Sequence, residues 1–193
     1  LIHYVSHDQA EALLASGAKI DLHLELIGVL KSGDKVRESA LSRGLNFFLR
    51  YVTGLLTAHQ VESEWRDQIR RFEELFGRLP DGLNSHEHLH FFPEFSRVFV
   101  KLAEEYHLSY VRFSHRGMLL SQDFTLIGKI LSLLWRRTAH LYRDRAFATS
   151  DYLVSLDWLA DFREFQKTLP SGTVELVVHL EREEDYRIML EHF

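Results

Sequence analysis

Short apolar runs alternate along this chain with longer amphipathic stretches, and that alternation restricts the fold more than any other feature of the sequence. Residues 20–26 alternate apolar and polar with period two, so a strand is expected there with Asp21, His23 and Glu25 on one face. Residues 83–90 read as a second strand running into a turn, residues 108–113 as a third, 148–154 as a short strand or loop, and the β-branched run 173–179 as the last. Between them lie helical patterns. Residues 7–15 read as a helix with Ser6 or His7-Asp8 near its cap and Gly17 just past its end, and 34–56 hold a looser helix-like spacing. Over 61–76, Trp65, Ile69, Phe72 and Phe76 share one face, and Gly77 and Pro80 stop the helix. Pro93 opens a helix to 106, in keeping with proline's tolerance of the first turn, and 125–141, 156–166 and 184–190 complete the set. Strand–helix alternation without repeats or low-complexity linkers predicts an α/β fold with parallel strands, a (β/α) barrel or part of one.

Composition removes several classes of function. A net charge of −5 gives no electrostatic footprint for nucleic acid or anionic membrane, and no apolar run approaches the roughly 18 residues of a membrane helix. No charged-then-apolar signal segment opens the chain, and the expected location is cytoplasmic. The 193 residues suit a single domain over 1–193. Its ends, at Leu1 and within a helical pattern at Phe193, suggest truncation on both sides. There are no cysteines, so thiolate nucleophiles, disulfides and cysteine-bound zinc are excluded. There are 12 histidines, so any transition-metal site must be built from imidazole with Asp or Glu.

The histidines fall in a pattern. His86, His88 and His90 alternate, and on a strand they would project from one face, where buried imidazoles demand hydrogen bonds or a metal. The spacing is not that of a zinc protease, because H-E-x-x-H needs a helical i, i+4 pair and here His88 follows Glu87 directly. His23 and His179 end two further expected strands, and the C-terminal ends of strands are where barrels gather their chemistry. His3, His7, His59, His107, His115, His140 and His192 are read as structural or surface residues. Arg112, at a strand end, suits either a substrate oxygen or a salt bridge. The run 127–135 reads as core at helical spacing, and Phe91, Phe92 and Trp158 read as core packing, with stacking on a sugar ring as their other use.

At these residues the sequence resembles the YdjC-like family of carbohydrate deacetylases over most of its length. Asp21-Leu22-His23-Leu24-Glu25-Leu26 is similar to that family's G-L-H-L-N-L-T strand. Phe72 to Pro80, through Gly77, is similar to F-x-x-x-x-G-x-x-P, and Asn84 to His90 resembles D-S-H-Q-H-V-H with Pro93 after it. Val111-Arg112-Phe113, Thr149-Ser150-Asp151 and the stretch Glu175 to His179 resemble its later landmarks. The resemblance implies a distorted barrel, one divalent metal (Mg or Zn), and hydrolysis of an N-acetyl group on an amino sugar or chito-oligosaccharide. It assigns the metal to His23 and His86 together with an Asp from a D-D pair, and an acid/base role to His179. His88, His90, Asn84 and Arg112 become residues that orient ligands or meet substrate. The sequence departs from the family at three places: no D-D pair precedes His23, Asn84 stands for Asp, and Leu180-Glu181 follow His179 in place of Pro-Gly. The partner expected is an acetylated sugar, with a homodimer as the expected assembly. The competing readings are a catalytically degenerate carbohydrate- or metal-binding relative and a metal-dependent phosphoesterase.

Overall fold

A computed structural model describes residues 2–26, 47, 49–120 and 126–193. Its elements are α1 (His7–Ala15), β1 (Asp21–Leu24), α2 (Ala58–Phe76), β2 (Gly82–Ser85), α3 (Pro93–Glu105), β3 (Tyr110–Met118), α4 (Leu126–Thr138), β4 (Ala148–Ser155), α5 (Phe162–Lys167), β5 (Val174–Val177) and α6 (Glu183–His192). Short 3-10 turns stand at Ile2–Tyr4, His86–Phe91, Ala139–Tyr142 and Leu156–Trp158. The strands follow chain order, β1-β2-β3-β4-β5, and the pairs β1–β2, β2–β3 and β4–β5 are parallel. Sequential parallel strands joined through helices are the α/β arrangement of barrel-type folds, and this chain has five such strands among its described residues. Among those residues no helix is long and apolar enough to cross a membrane. The chain divides into two compact units, Leu1–Val111 and Arg112–Phe193.

In the first unit, helix starts are written in capping boxes. Ser6 and Gln9 exchange side-chain and backbone hydrogen bonds at the head of α1, and Thr57 and Gln60 do the same for α2. Gly77 ends α2 in the left-handed region at φ 65°, which costs glycine nothing. The expected apolar face of α2 is buried, and it meets α3 through Trp65, whose ring lies edge-on to Phe95 and Phe99 at centroid distances of 6.4 and 6.0 Å. All three rings are fully buried, each contributing roughly 1.5–3 kcal/mol. On the outer side of the same two helices Arg66 bridges Glu62 and Glu105, and Lys101 also reaches Glu62. Such exposed pairs are worth about 0–1 kcal/mol each, so the aromatic seam decides the packing.

The β1–β2 ladder pairs Asp21 with Gly82, Leu22 with Leu83, His23 with Asn84 and Leu24 with Ser85. A Cβ at residue 82 would stand 2.7 Å from Asp21 Oδ1 and 2.8 Å from the Tyr110 carbonyl, so only glycine lets three strands meet there. Just before β2, Asp81 ties the strand starts together. Its carboxylate accepts from the Ile20 N–H at 2.7 Å and from Arg78 at 2.9 Å, while its backbone N–H donates to the Ile20 carbonyl and its own carbonyl accepts from the Ser109 hydroxyl.

In the second unit, Phe113 of β3 stacks on Tyr142 with centroids 3.7 Å apart, and Trp135 of α4 donates its indole N–H to the Ser114 carbonyl at 2.8 Å. The Thr149 side chain closes on both the amide and the carbonyl of Phe113. Asp151 accepts from the Thr173 amide at 2.9 Å, and Arg112 donates from Nε to Glu175 at 2.5 Å.

Several expected boundaries move. The strand expected over 83–90 ends at Ser85, and residues 86–91 form a 3-10 turn kinked by Glu87 (φ 50°) and His88 (φ 54°) in the left-handed region. His86, His88 and His90 therefore do not share a strand face. Ser85 is the physical reason, because its hydroxyl accepts from the His90 N–H at 3.1 Å and pairs with His90 Nδ1 at 2.6 Å, closing the chain on itself. The helix expected over 156–166 is a 3-10 turn followed by the short α5, because Asp161 caps a new helix by accepting from the amides of residues 163 and 164. The last strand stops at Val177, leaving His179 in the turn before α6. Within the run 127–135, Ile130 and Leu133 are exposed, since α4 packs its unit through Trp135. The looser helix expected over 34–56 lies mostly outside the described residues, with helical turns at 47 and 49–52.

The Asp81 carboxyl is held below the usual carboxylate range, first by the Arg78 hydrogen bond and then by the Ile20 amide. A depressed acid contributes stability above its unfolded pKa of about 3.9 and loses it as pH falls through the lower folded value. Asp81→Ala is expected to cost about 1–3 kcal/mol in urea unfolding at pH 7, and markedly less near pH 2. A pH-independent difference would contradict this account of the strand starts.

Candidate metal and catalytic site

The parallel register sets the site. His23 of β1 and Asn84 of β2 are direct partners across the ladder, so their side chains leave the sheet on the same side. His23 Nδ1 donates to Asn84 Oδ1 in a short hydrogen bond. In a neutral imidazole that leaves the lone pair on Nε2. Two residues further along, the chain turns at His86 and brings its Nδ1 to 3.3 Å from His23 Nε2, with the rings edge-to-face at a centroid distance of 5.5 Å. The far nitrogen of His86, Nε2, lies 3.7 Å from the Glu87 carboxylate. The pair stands at the C-terminal ends of β1 and β2, where α/β folds place ligand sites.

This geometry admits two states. As a neutral pair, His86 Nδ1–H donates to His23 Nε2. With a cation, both inward nitrogens offer lone pairs while their outer N–H groups face Asn84 and Glu87. Two nitrogens about 2.1 Å from one ion stand about 3.0 Å apart at right angles and about 3.4 Å apart in a tetrahedron, so 3.3 Å matches the bite of two ligands on one ion. An oriented outer N–H on an oxygen acceptor is the support that metal-binding histidines ordinarily have. The residues thus fit a divalent cation through two ligands. Among the described residues, no group of three His, Asp or Glu side chains is placed to hold a metal.

His90 is fully buried, its ring stacked on Phe99 at 4.6 Å and edge-on to Phe91. It serves the turn from inside the core and has no access to a ligand in solution. His88 is half-buried and stacks on Phe91 at 5.2 Å. Phe91 and Trp158 are core residues, whereas Phe92 is half-buried against Phe47 and Tyr51. Two consecutive left-handed non-glycine residues, Glu87 and His88, cost about 1–3 kcal/mol each, strain of the kind found at functional turns. Sequence reasoning missed Ser85, although a hydroxyl directly before the histidine run is the signal for such a side-chain-closed turn.

In the second unit, His179 lies just past β5. Its backbone N–H donates to Asp185 Oδ2 at 2.8 Å and its Nδ1 lies 3.9 Å from the same oxygen. Asp157 accepts from Arg182 at 3.0 Å. Burial pushes the Asp157 carboxyl up, yet bonds from the Ser155 hydroxyl and Arg182, with the nearby charge of Arg182 and His179, leave it below the usual range. Arg112 is half-buried and paired with Glu175.

A family model for the YdjC-like proteins matches residues 5–189. Among curated proteins, the chain is 32% identical over 100 residues to a carbohydrate deacetylase of Danio rerio, covering 48% of this chain and 32% of that protein. It is 39% identical over 59 residues to a carbohydrate deacetylase of Xenopus laevis, covering 31% and 19%. It is also 38% identical over 52 residues to a chitooligosaccharide deacetylase of Escherichia fergusonii, covering 27% and 21%. The matched stretches span about a third or less of those relatives. A crystal structure of an Enterococcus faecalis protein named for cellobiose-phosphate cleavage superposes with a TM-score of 0.54 at 18% identity, over 90% of this chain and 65% of that one, and shares its fold.

Ser85→Ala removes the hydroxyl that closes the histidine turn. It is expected to lower stability by about 1–3 kcal/mol and to release the His90 ring, readable as new His90 side-chain exchange in NMR. An unchanged unfolding midpoint would show that the turn is held by other contacts. By its family match over residues 5–189, the chain belongs to the YdjC-like proteins.

Proposed function

We propose that this chain carries part of the active site of a metal-dependent deacetylase that hydrolyses the N-acetyl group of an amino sugar or chito-oligosaccharide. The observation that carries the reading is the 3.3 Å approach of His23 Nε2 to His86 Nδ1, with the outer N–H of His23 held by Asn84. The names of the curated relatives supply the reaction class. An amide carbonyl is a poor electrophile and neutral water a poor nucleophile. A divalent cation bound by the two imidazoles would polarise the one and lower the pKa of the other. Paired imidazole donors favour zinc-like ions over magnesium, which prefers oxygen.

The chain's own residues divide the remaining work. Asn84 holds the His23 ring so that Nε2 faces the ligand position, and the turn closed by Ser85 does the same for His86. His179 is proposed as the acid that protonates the departing amine, a role an imidazole fills near neutral pH. A second reading, a carbohydrate- or metal-binding relative without turnover, is favoured by the presence of only two grouped ligands among the described residues. A metal-dependent phosphoesterase is the third.

The discriminating experiment measures zinc binding and acetate release from acetylated chito-oligosaccharides, with phosphoesters as controls. His86→Ala is expected to reduce kcat/KM for acetate release by on the order of 10²-fold, and Asn84→Ala to weaken zinc affinity by about 10- to 100-fold. Acetate release at the wild-type rate from His86→Ala would overturn the site assignment. Zinc binding without acetate release would favour the binding relative, and phosphate release the esterase.

A further inference from the structure

The first turn of α6 holds a buried carboxylate to which no chemical role has yet been given. Asp185 occupies the third position of α6, counting from Glu183, and is buried at 5% exposure. The orphan amides of the helix's first turn make that position tolerable for a negative charge. Its Oδ2 accepts from the His179 backbone N–H at 2.8 Å, which pins the carboxylate beside the ring, 3.9 Å from Nδ1. That nitrogen is itself buried and makes no hydrogen bond, although the imidazole as a whole is 37% exposed. The ring thus turns Nδ1 inward to Asp185 and leaves Nε2 as its open nitrogen. The other acid near the ring, Asp157, is engaged by Arg182 and by the Ser155 hydroxyl.

We propose that Asp185 is the positioning residue for His179: it holds the proton on Nδ1 and so makes Nε2 the nitrogen that exchanges a proton with substrate. A small rotation of the imidazole brings Nδ1–H into hydrogen-bond range of Oδ2. In the acid step the Nε2–H bond breaks, its electron pair stays on Nε2, the amine nitrogen takes the proton, and the ring is left neutral with Nδ1–H still on Asp185. This inference rests on the acid role proposed above for His179. A carboxylate that fixes the tautomer of an acid–base histidine acts through that histidine and need not touch substrate.

The test reads the tautomer directly. In protein labelled with 15N-histidine, at a pH where the ring is neutral, side-chain NMR of the wild type is expected to show His179 as the Nδ1–H form. Asp185→Ala is expected to move it toward Nε2–H, and Asp185→Asn, which keeps an oxygen acceptor, to retain Nδ1–H. In acetate release, Asp185→Ala is expected to lower kcat on the order of 10²-fold with KM nearly unchanged. A wild-type His179 protonated on Nε2, or the same tautomer in wild type and Asp185→Ala, would overturn the proposal, and the wild-type spectrum decides this even where the Ala variant does not fold. The tautomer is read without turnover, so a wild-type protein that releases no acetate contradicts the deacetylase reading alone.

Discussion

The parallel pairing of β1 with β2 is the constraint on which the candidate site depends. Because His23 stands opposite Asn84 in that ladder, the imidazole and the amide leave the sheet on one side and hydrogen-bond. A register shift of one residue would put His23 and Asn84 on opposite faces. Gly82 and Asp81 guard the register. The glycine admits the close approach of Asp21 and the Tyr110 carbonyl, and the aspartate binds the Ile20 amide at the strand's start. A backbone detail several residues from the imidazoles therefore sets which nitrogen of His23 faces His86.

The fold class was legible in the sequence because period-two and helical patterns are long-lived signals that packing reinforces. The buried faces of α2 and α3 follow from spacing, with Trp65, Ile69, Phe95 and Phe99 in the core as their positions require. Family membership was legible in the stretches around His23, Gly77 and His86, and the family match extends over residues 5–189. The histidine run was harder. Alternation in His86, His88 and His90 satisfies the strand pattern, yet a single hydroxyl at Ser85 outweighs it by closing the backbone into a turn. Glu87 does not announce a left-handed conformation, and His88, though histidine adopts it more often than most non-glycine residues, is outweighed by the strand-like alternation around it. As a result, one histidine of the run reaches His23, one stacks at the edge of the core and one is sealed inside it.

The two units differ in how they present histidine. In the first, His23 and His86 face each other through nitrogens whose outer partners are an amide oxygen and a carboxylate. In the second, His179 meets Asp185 and lies near Asp157, with Arg182 engaging the latter. Imidazoles backed by oxygen acceptors suit cation binding, while an imidazole set beside buried acid suits proton transfer. The chemistry proposed for each rests on that contrast. Arg112, by contrast, is committed to Glu175, so its donors are partly spent within the sheet.

The proposed convergence of His23 and His86 on one cation has a decisive crystallographic test. Crystals of the protein grown with zinc, measured on both sides of the zinc absorption edge, test it most directly. A cation held by both imidazoles would give an anomalous peak about 2.1 Å from both His23 Nε2 and His86 Nδ1. Zinc bound elsewhere, with the two imidazoles hydrogen-bonded directly to one another, would contradict it.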